Sequence, residues 1–268
     1  IAKKNDLNLD DQLFKYGVRI NSDLVQDLRS TEIPIVTGYS NNRPIQELFK
    51  WPYYPLISSK NNHPITNSLD GIKSDFISSI DTLKNNIKKT ILLESSNNSR
   101  LAQAPSKVSL GIIENPPPVE SYNKENIPMA VLLTGEFTSV FKDRIIPKNN
   151  DINFKKSSDS TSIIIVSDGD IIANEVSSSG NAFPLGYDRY INYTFDGNKK
   201  FIINAIQYLN NHNGLINLRS KNIKLRLLNN EKISNYRILI IMINMILPIL
   251  IFLFLIFIIN QKNKLKYD

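Results

Sequence analysis

Cysteine is absent from this 268-residue chain, so thiol catalysis and zinc-thiolate sites are excluded and the redox compartment leaves no mark. Histidine occurs only twice, at His63 before Pro64 and at His212 beside Asn213-Gly214. A catalytic histidine needs a nucleophile in a recognisable setting, and no G-x-S-x-G elbow is present. The ten glycines form neither G-x-x-x-x-G-K-S/T nor G-x-G-x-x-G, so ATP hydrolysis cannot be assigned to this chain. No initiating methionine or signal peptide precedes Ile1, and the expectation is a fragment whose upstream part is missing.

Charge is missing where a nucleic-acid binder would need it. The net charge is +7, but from Arg219 onward nine basic residues face only Glu231 and Asp268. Residues 1–218 therefore carry equal numbers of acidic and basic groups and have no basic surplus, which sets nucleic acid aside. The excess flanks the segment that lacks charge altogether. Ile238 to Ile259 is apolar apart from Asn244 and Pro248. As a helix at 1.5 Å per residue it reaches about 33 Å, enough for a bilayer core. The expected organisation is a soluble domain over 1–215, a basic juxtamembrane link over 216–237, a transmembrane helix over 238–259 and a short basic tail over 260–268. Six basic residues precede the span and three follow it, which taken alone places the body in the cytoplasm. Large domains translocate largely regardless of that rule, so the orientation stays open.

Asp10 to Tyr16 has helical spacing, with Asp10 as N-cap and Gly17 closing it. Val18 and Ile20 alternate as a short strand, and Ile33–Val36 is an apolar run ended by Gly38. Trp51 to Ile57 is aromatic and broken by prolines, an irregular edge strand. Thr90–Leu93, Ala130–Leu133 and Ile163–Val166 read as buried strands. Segments 95–107, 114–128 and 147–162 read as loops. Lys199 to Leu209 reads as a helix with the stripe Phe201, Ile202, Ala205, Ile206 and Leu209. Strands followed by helices predict an α/β body of Rossmann-like layering.

Candidate chemistry is sparse. Asp168 and Asp170 follow a buried strand, where α/β sheets gather ligands, and could hold Mg²⁺ in a metal-dependent hydrolase. The competing reading has Asp168 capping the next turn and Asp170 facing solvent. Trp51, Tyr53, Tyr54 and His63 are ligand-facing candidates, against a core role for the aromatics. Asn244 and Pro248 would serve a helix that packs against membrane partners. No catalytic residue and no cofactor is assigned.

Seven stretches, in this order, carry a resemblance: Leu9–Leu28 (LDDQLFKYGVRINSDLVQDL), Trp51–Ser58 (WPYYPLIS), His63–Thr66 (HPIT), Gly135–Arg144 (GEFTSVFKDR), Val166–Asn174 (VSDGDIIAN), Pro184–Tyr190 (PLGYDRY) and Leu218–Leu228 (LRSKNIKLRLL). Together they resemble the C-terminal half of the gliding-motility ABC transporter auxiliary family, GldG. The resemblance implies an accessory, sometimes substrate-binding, subunit that works with a multi-pass permease and a separate cytoplasmic ATPase. It also implies a glutamine-amidotransferase-like body in the periplasm, held to the inner membrane. The chain departs from the family by lacking an N-terminal span and the first part of the body. The reading is a non-catalytic, membrane-anchored auxiliary subunit. An extracytoplasmic ligand- or glycan-binding receptor is the first alternative and the hydrolase the second.

Overall fold

The computed structural model describes residues 1–144, 154–210 and 236–267. The readings that fall on His212, on 216–235 of the basic link and on Asp268 lie outside the described residues. The chain divides into two units, Ile1–Asn222 and Ile223–Asp268.

The first unit runs α1 (Asp10–Tyr16), β1 (Val18–Ile20), β2 (Asp23–Asp27), β3 (Ser30–Ser40), β4 (Arg43–Ile57), β5 (Ile72–Lys73) and β6 (Ile80–Thr82). It continues through β7 (Lys88–Glu94), β8 (Ser99–Gln103), α2 (Gly111–Glu114), β9 (Pro128–Gly135), β10 (Thr161–Val166), β11 (Tyr187–Asp188), β12 (Tyr193–Thr194) and α3 (Asp196–Leu209). Its centre is the antiparallel sheet β10-β9-β7. The apolar run Met129–Leu133 leaves no polar face, so β9 must be covered on both sides, and all five residues are buried. Ala130 and Leu132 join a core with Ile57, Ile65, Ile72 and Phe201, while Val131 and Leu133 join a second core with Val18, Ile80 and Phe137. The strands expected at Thr90–Leu93, Ala130–Leu133 and Ile163–Val166 lie within β7, β9 and β10.

The fold is mixed α/β, with strands and helices as expected at that level. Rossmann-like layering depends on parallel neighbours joined by crossover helices. Every strand pairing among the described residues is instead antiparallel. Segment 95–107, read as loop, contains β8, which pairs with β2 from Asp23↔Gln103 to Asp27↔Ser99. Trp51–Ile57 is irregular as expected, and although β4 as a whole lies between β3 and β5, β5 pairs with it only at Leu56 and Ile57. Ser30 pairs with Pro55 and Glu32 with Lys50, which leaves Trp51–Tyr54 without β3 partners. Asp10 is not the N-cap of α1: Leu9 holds that place, and Asp10 pairs with Lys4 from within the first turn. Gly17 closes the helix in a left-handed conformation, φ 85°.

Helix α3 forms where it was expected, but its buried line is Gly197, Asn198, Phe201 and Ala205, while Ile206 and Leu209 are exposed. The rotation follows from close backbone contact at the helix start. A Cβ on Gly197 would meet the carbonyl oxygens of Asp70 and Gly71, each at 2.7 Å. Gly197→Ala should therefore destabilise the domain by about 1–3 kcal/mol from overpacking, outweighing the roughly 1 kcal/mol gain in helix propensity. Thermal unfolding followed by Trp51 fluorescence checks this, and a raised midpoint would refute it.

The second unit, as described, is one helix, α4 (Arg237–Tyr267), with Pro248 inside it. Arg237–Asn260 is long and apolar enough to cross a membrane. Among the described residues from Ile238 to Ile259, its large aliphatic and aromatic side chains are exposed. The helix continues past Ile259 to Tyr267, through residues read as a tail.

Candidate functional site

A polar cluster forms where β5, the turn after β10 and the start of α3 meet. The sequence dictates the meeting in a local way. Val166 ends an apolar strand, and Ser167 then turns the chain, its hydroxyl donating to the carbonyls of Ser78 (2.5 Å) and Met129 (3.1 Å). Asp168 caps the turn: Oδ1 accepts the Asp170 amide at 2.8 Å and Oδ2 accepts the Asp75 amide at 3.1 Å. Asn198, from the first turn of α3, is the clasp. Its Nδ2 donates to the carbonyls of Lys73 (2.8 Å) and Ile171 (3.1 Å), and its Oδ1 accepts the Lys73 amide at 2.9 Å.

Within this frame Lys73 Nζ lies 3.1 Å from Glu175 and 3.2 Å from Asp188, and Glu175 also binds Arg189 at 2.7 Å. Asp188 is buried and accepts the amides of Tyr190 and Ile191 as well. Burial alone would lower the Lys73 pKa, but Asp75 and Asp188, with the hydrogen bonds to Glu175 and Asp188, hold it above the ordinary lysine value. Asp75 is the opposite case. Burial pushes its carboxyl up to about 6 against the pull of Lys73, and Asp170, Asp188 and Glu175 add repulsion. Burial likewise raises Asp168 to about 6 despite its two backbone amide donors. Asp75 Oδ1 is buried with no hydrogen-bond partner.

Two clefts adjoin the cluster. One of about 240 Å³ is lined by Lys73, Asp75, Asp170, Glu175, Tyr187 and Asn198 among others. The other, of about 490 Å³, includes Lys4, Asp10, Asp23, Asp75, Asp168 and Asp170. Asp75 and Asp170 face both.

The candidates from sequence scatter. Asp168 and Asp170 lie in the cluster, but both Asp168 oxygens are engaged by backbone amides. Among the described residues no group of three or more potential ligands could hold a metal ion. Trp51 and Tyr53 are buried with Leu24 in a small core, their rings 5.2 Å apart. Tyr54 meets Phe76 edge-on at 5.1 Å, and burial, then Asp75, pushes its hydroxyl pKa to about 12. His63 belongs to a different place: its ring lies 5.0 Å from Tyr208 of α3, and Nδ1 accepts the Ile65 amide at 3.3 Å. Burial, then Lys88, lowers its pKa. Asn244 and Pro248 lie exposed on α4. Lys73, Asp75, Glu175, Asp188 and Asn198 escaped sequence reading, because they come from four separate places in the chain. Two weak signals existed: Asp188 lies inside the Pro184–Tyr190 stretch, and an asparagine in a first helical turn often bonds backbone.

A family model described as an ABC-type uncharacterized transport system matches residues 1–205. The chain belongs to that family. No curated protein and no solved structure matches it. Membership makes the chain an auxiliary component of an ABC-type transport system, in partnership with transporter components, and suggests a non-enzymatic role. It supports the broad auxiliary family rather than the gliding-motility branch that the sequence resembles. For this auxiliary, one candidate membrane-spanning helix is consistent with anchoring in a membrane.

Proposed function

We propose that this auxiliary is a non-catalytic, membrane-anchored subunit that docks on a multi-pass ABC permease driven by a separate ATPase. Its soluble body lies in the periplasm, and the complex is of the gliding-motility type. The observation that carries the reading is α4: an apolar stretch over Arg237–Asn260 whose single internal amide is Asn244, with Pro248 one turn on. An amide in lipid looks for a partner on another helix, and proline bends the surface it presents. The β3–β4 arm supports docking by the soluble body. Its turn, Asn41-Asn42, is left-handed at both residues, and beyond it Val36, Tyr39, Ile45 and Leu48 stand exposed.

Membranes solubilised in mild detergent and run on native gels test this. The 30.5 kDa chain should migrate in a larger complex containing a permease. Asn244→Leu should weaken that complex by about 1 kcal/mol. A chain that runs free of any permease would overturn the proposal. A second reading, capture of a small extracytoplasmic ligand, draws on the two clefts beside Asp75. Thermal shift against a metabolite panel separates the two, since pure coupling expects no tight small ligand.

A further inference from the structure

The wall between the two clefts has two features that a purely structural turn would not need. Phe76 adopts φ +55°, a left-handed conformation that is strained for a bulky aromatic residue. Its neighbour Asp75 buries an oxygen that no donor satisfies. Phe76 is held by its amide on the Tyr53 carbonyl at 2.9 Å and by rings at 5.1 Å (Tyr54) and 6.0 Å (Tyr53). Among the described residues, the Asp75 amide is held by the Asp168 carboxylate at 3.1 Å.

The charges facing this wall are mostly of one sign. Asp75 feels Asp168, Asp170, Glu175, Asp188 and the Tyr54 hydroxyl, against one ammonium, Lys73, which Glu175 and Asp188 already engage. Across the larger cleft, Lys4 is paired with Asp10, and Asp23 accepts the amide and hydroxyl of Ser79. Lys3 also lines that cleft. A neutral Asp75 is tolerated here. An ionised Asp75 is repelled by the carboxylates around it while one of its oxygens is shut off from water, and moving the Ser74–Ile77 segment outward hydrates it.

We propose that Asp75 and Asp168 form a proton-operated gate: protonation keeps Ser74–Ile77 closed between the two clefts, and ionisation of the pair opens it. Opening releases the left-handed strain at Phe76, exposes the orphaned Asp75 oxygen to water and joins the clefts. The joined space falls in the roughly 300–1,000 Å³ range of small-molecule sites. The gate needs no permease, so its failure and the failure of the docking proposal are distinguishable. Both carboxyls have their titration raised to about 6, which sets the range where the gate works.

Hydrogen exchange of the full chain in detergent micelles, corrected for intrinsic chemistry, tests this at pH 5 and pH 8. Peptides covering Ser74–Ile77 should lose protection more than tenfold at pH 8, while peptides from β9 hold theirs. Asp75→Asn should keep the segment protected at both pH values, and Asp168→Asn should reduce the pH effect. Equal protection at both pH values in the wild-type chain overturns the gate, whether or not either variant folds. So does parallel loss in β9, which would mean general loosening, or an undiminished pH effect in Asp75→Asn.

Discussion

Asp27→Ala should cost the soluble domain about 4 kcal/mol, because four hydrogen bonds to a carboxylate are lost and each such bond contributes roughly 1.5–3 kcal/mol before water compensates the part-buried donors. Asp27 is fully buried at the end of β2. Its carboxylate accepts the Arg29 amide (2.7 Å), the Ser96 amide (2.7 Å), the Ser96 hydroxyl (2.6 Å) and the Ser99 hydroxyl (3.2 Å). One side chain thus closes the turn after β2 and fixes the 95–99 segment that leads into β8. Alanine removes the acceptor of all four, leaving the Ser99 hydroxyl buried and the Arg29 and Ser96 donors only partly open to water. Against a total stability of about 5–15 kcal/mol, that loss is large. Asn should fall between, because one amide oxygen remains while the NH₂ faces other donors. Trp51, the sole tryptophan and itself buried near β2, reports unfolding in urea. A midpoint shift worth less than about 1 kcal/mol would show that water or a rearranged turn replaces the carboxylate.

The contrast between Asp27 and Asp168 explains what sequence could reveal here. Short apolar runs announced β7, β9 and β10, because a strand buried on both faces has no polar alternation to hide it. Gly17 announced the end of α1 for a local reason, its left-handed backbone. β8 was invisible because Ser99, Arg100 and Gln103 have no strand preference of their own and are held by pairing with β2. The long β3–β4 hairpin was missed since prolines at 34, 44, 52 and 55 interrupt its pattern and Asn41-Asn42 is a quiet turn signal. Of the candidate site, only Asp168 and Asp170 were legible, because they follow a recognisable strand. Lys73, Asp75, Glu175 and Asp188 acquire meaning only when antiparallel pairing and α3 bring 73–75 against 168–198. The apolar span is the reverse case, since its meaning needs no tertiary partner.

The carboxyl pair also carries a thermodynamic signature, which is largest while the Ser74–Ile77 segment stays closed and burial acts in full. Burial raises the Asp75 carboxyl to about 6 in the folded chain, from an ordinary value of 3.8. A carboxyl whose folded pKa is raised binds its proton more tightly when folded, so it penalises the native state once ionised. The penalty is absent below about pH 4, grows through the interval to about pH 6 and is complete above it. At roughly 1.36 kcal/mol per pKa unit it amounts to about 3 kcal/mol. Asp168 adds a contribution of the same sign. Asp75→Asn should therefore stabilise the domain by about 2–3 kcal/mol at pH 8 and change little at pH 4. The substitution also removes the repulsion that Asp75 exerts on Asp168, so the remaining pH dependence should shrink. Unfolding midpoints across pH 4–8 for wild type and variant measure both effects. If the variant is no more stable at pH 8 than at pH 4 relative to wild type, Asp75 is already solvated in the native state.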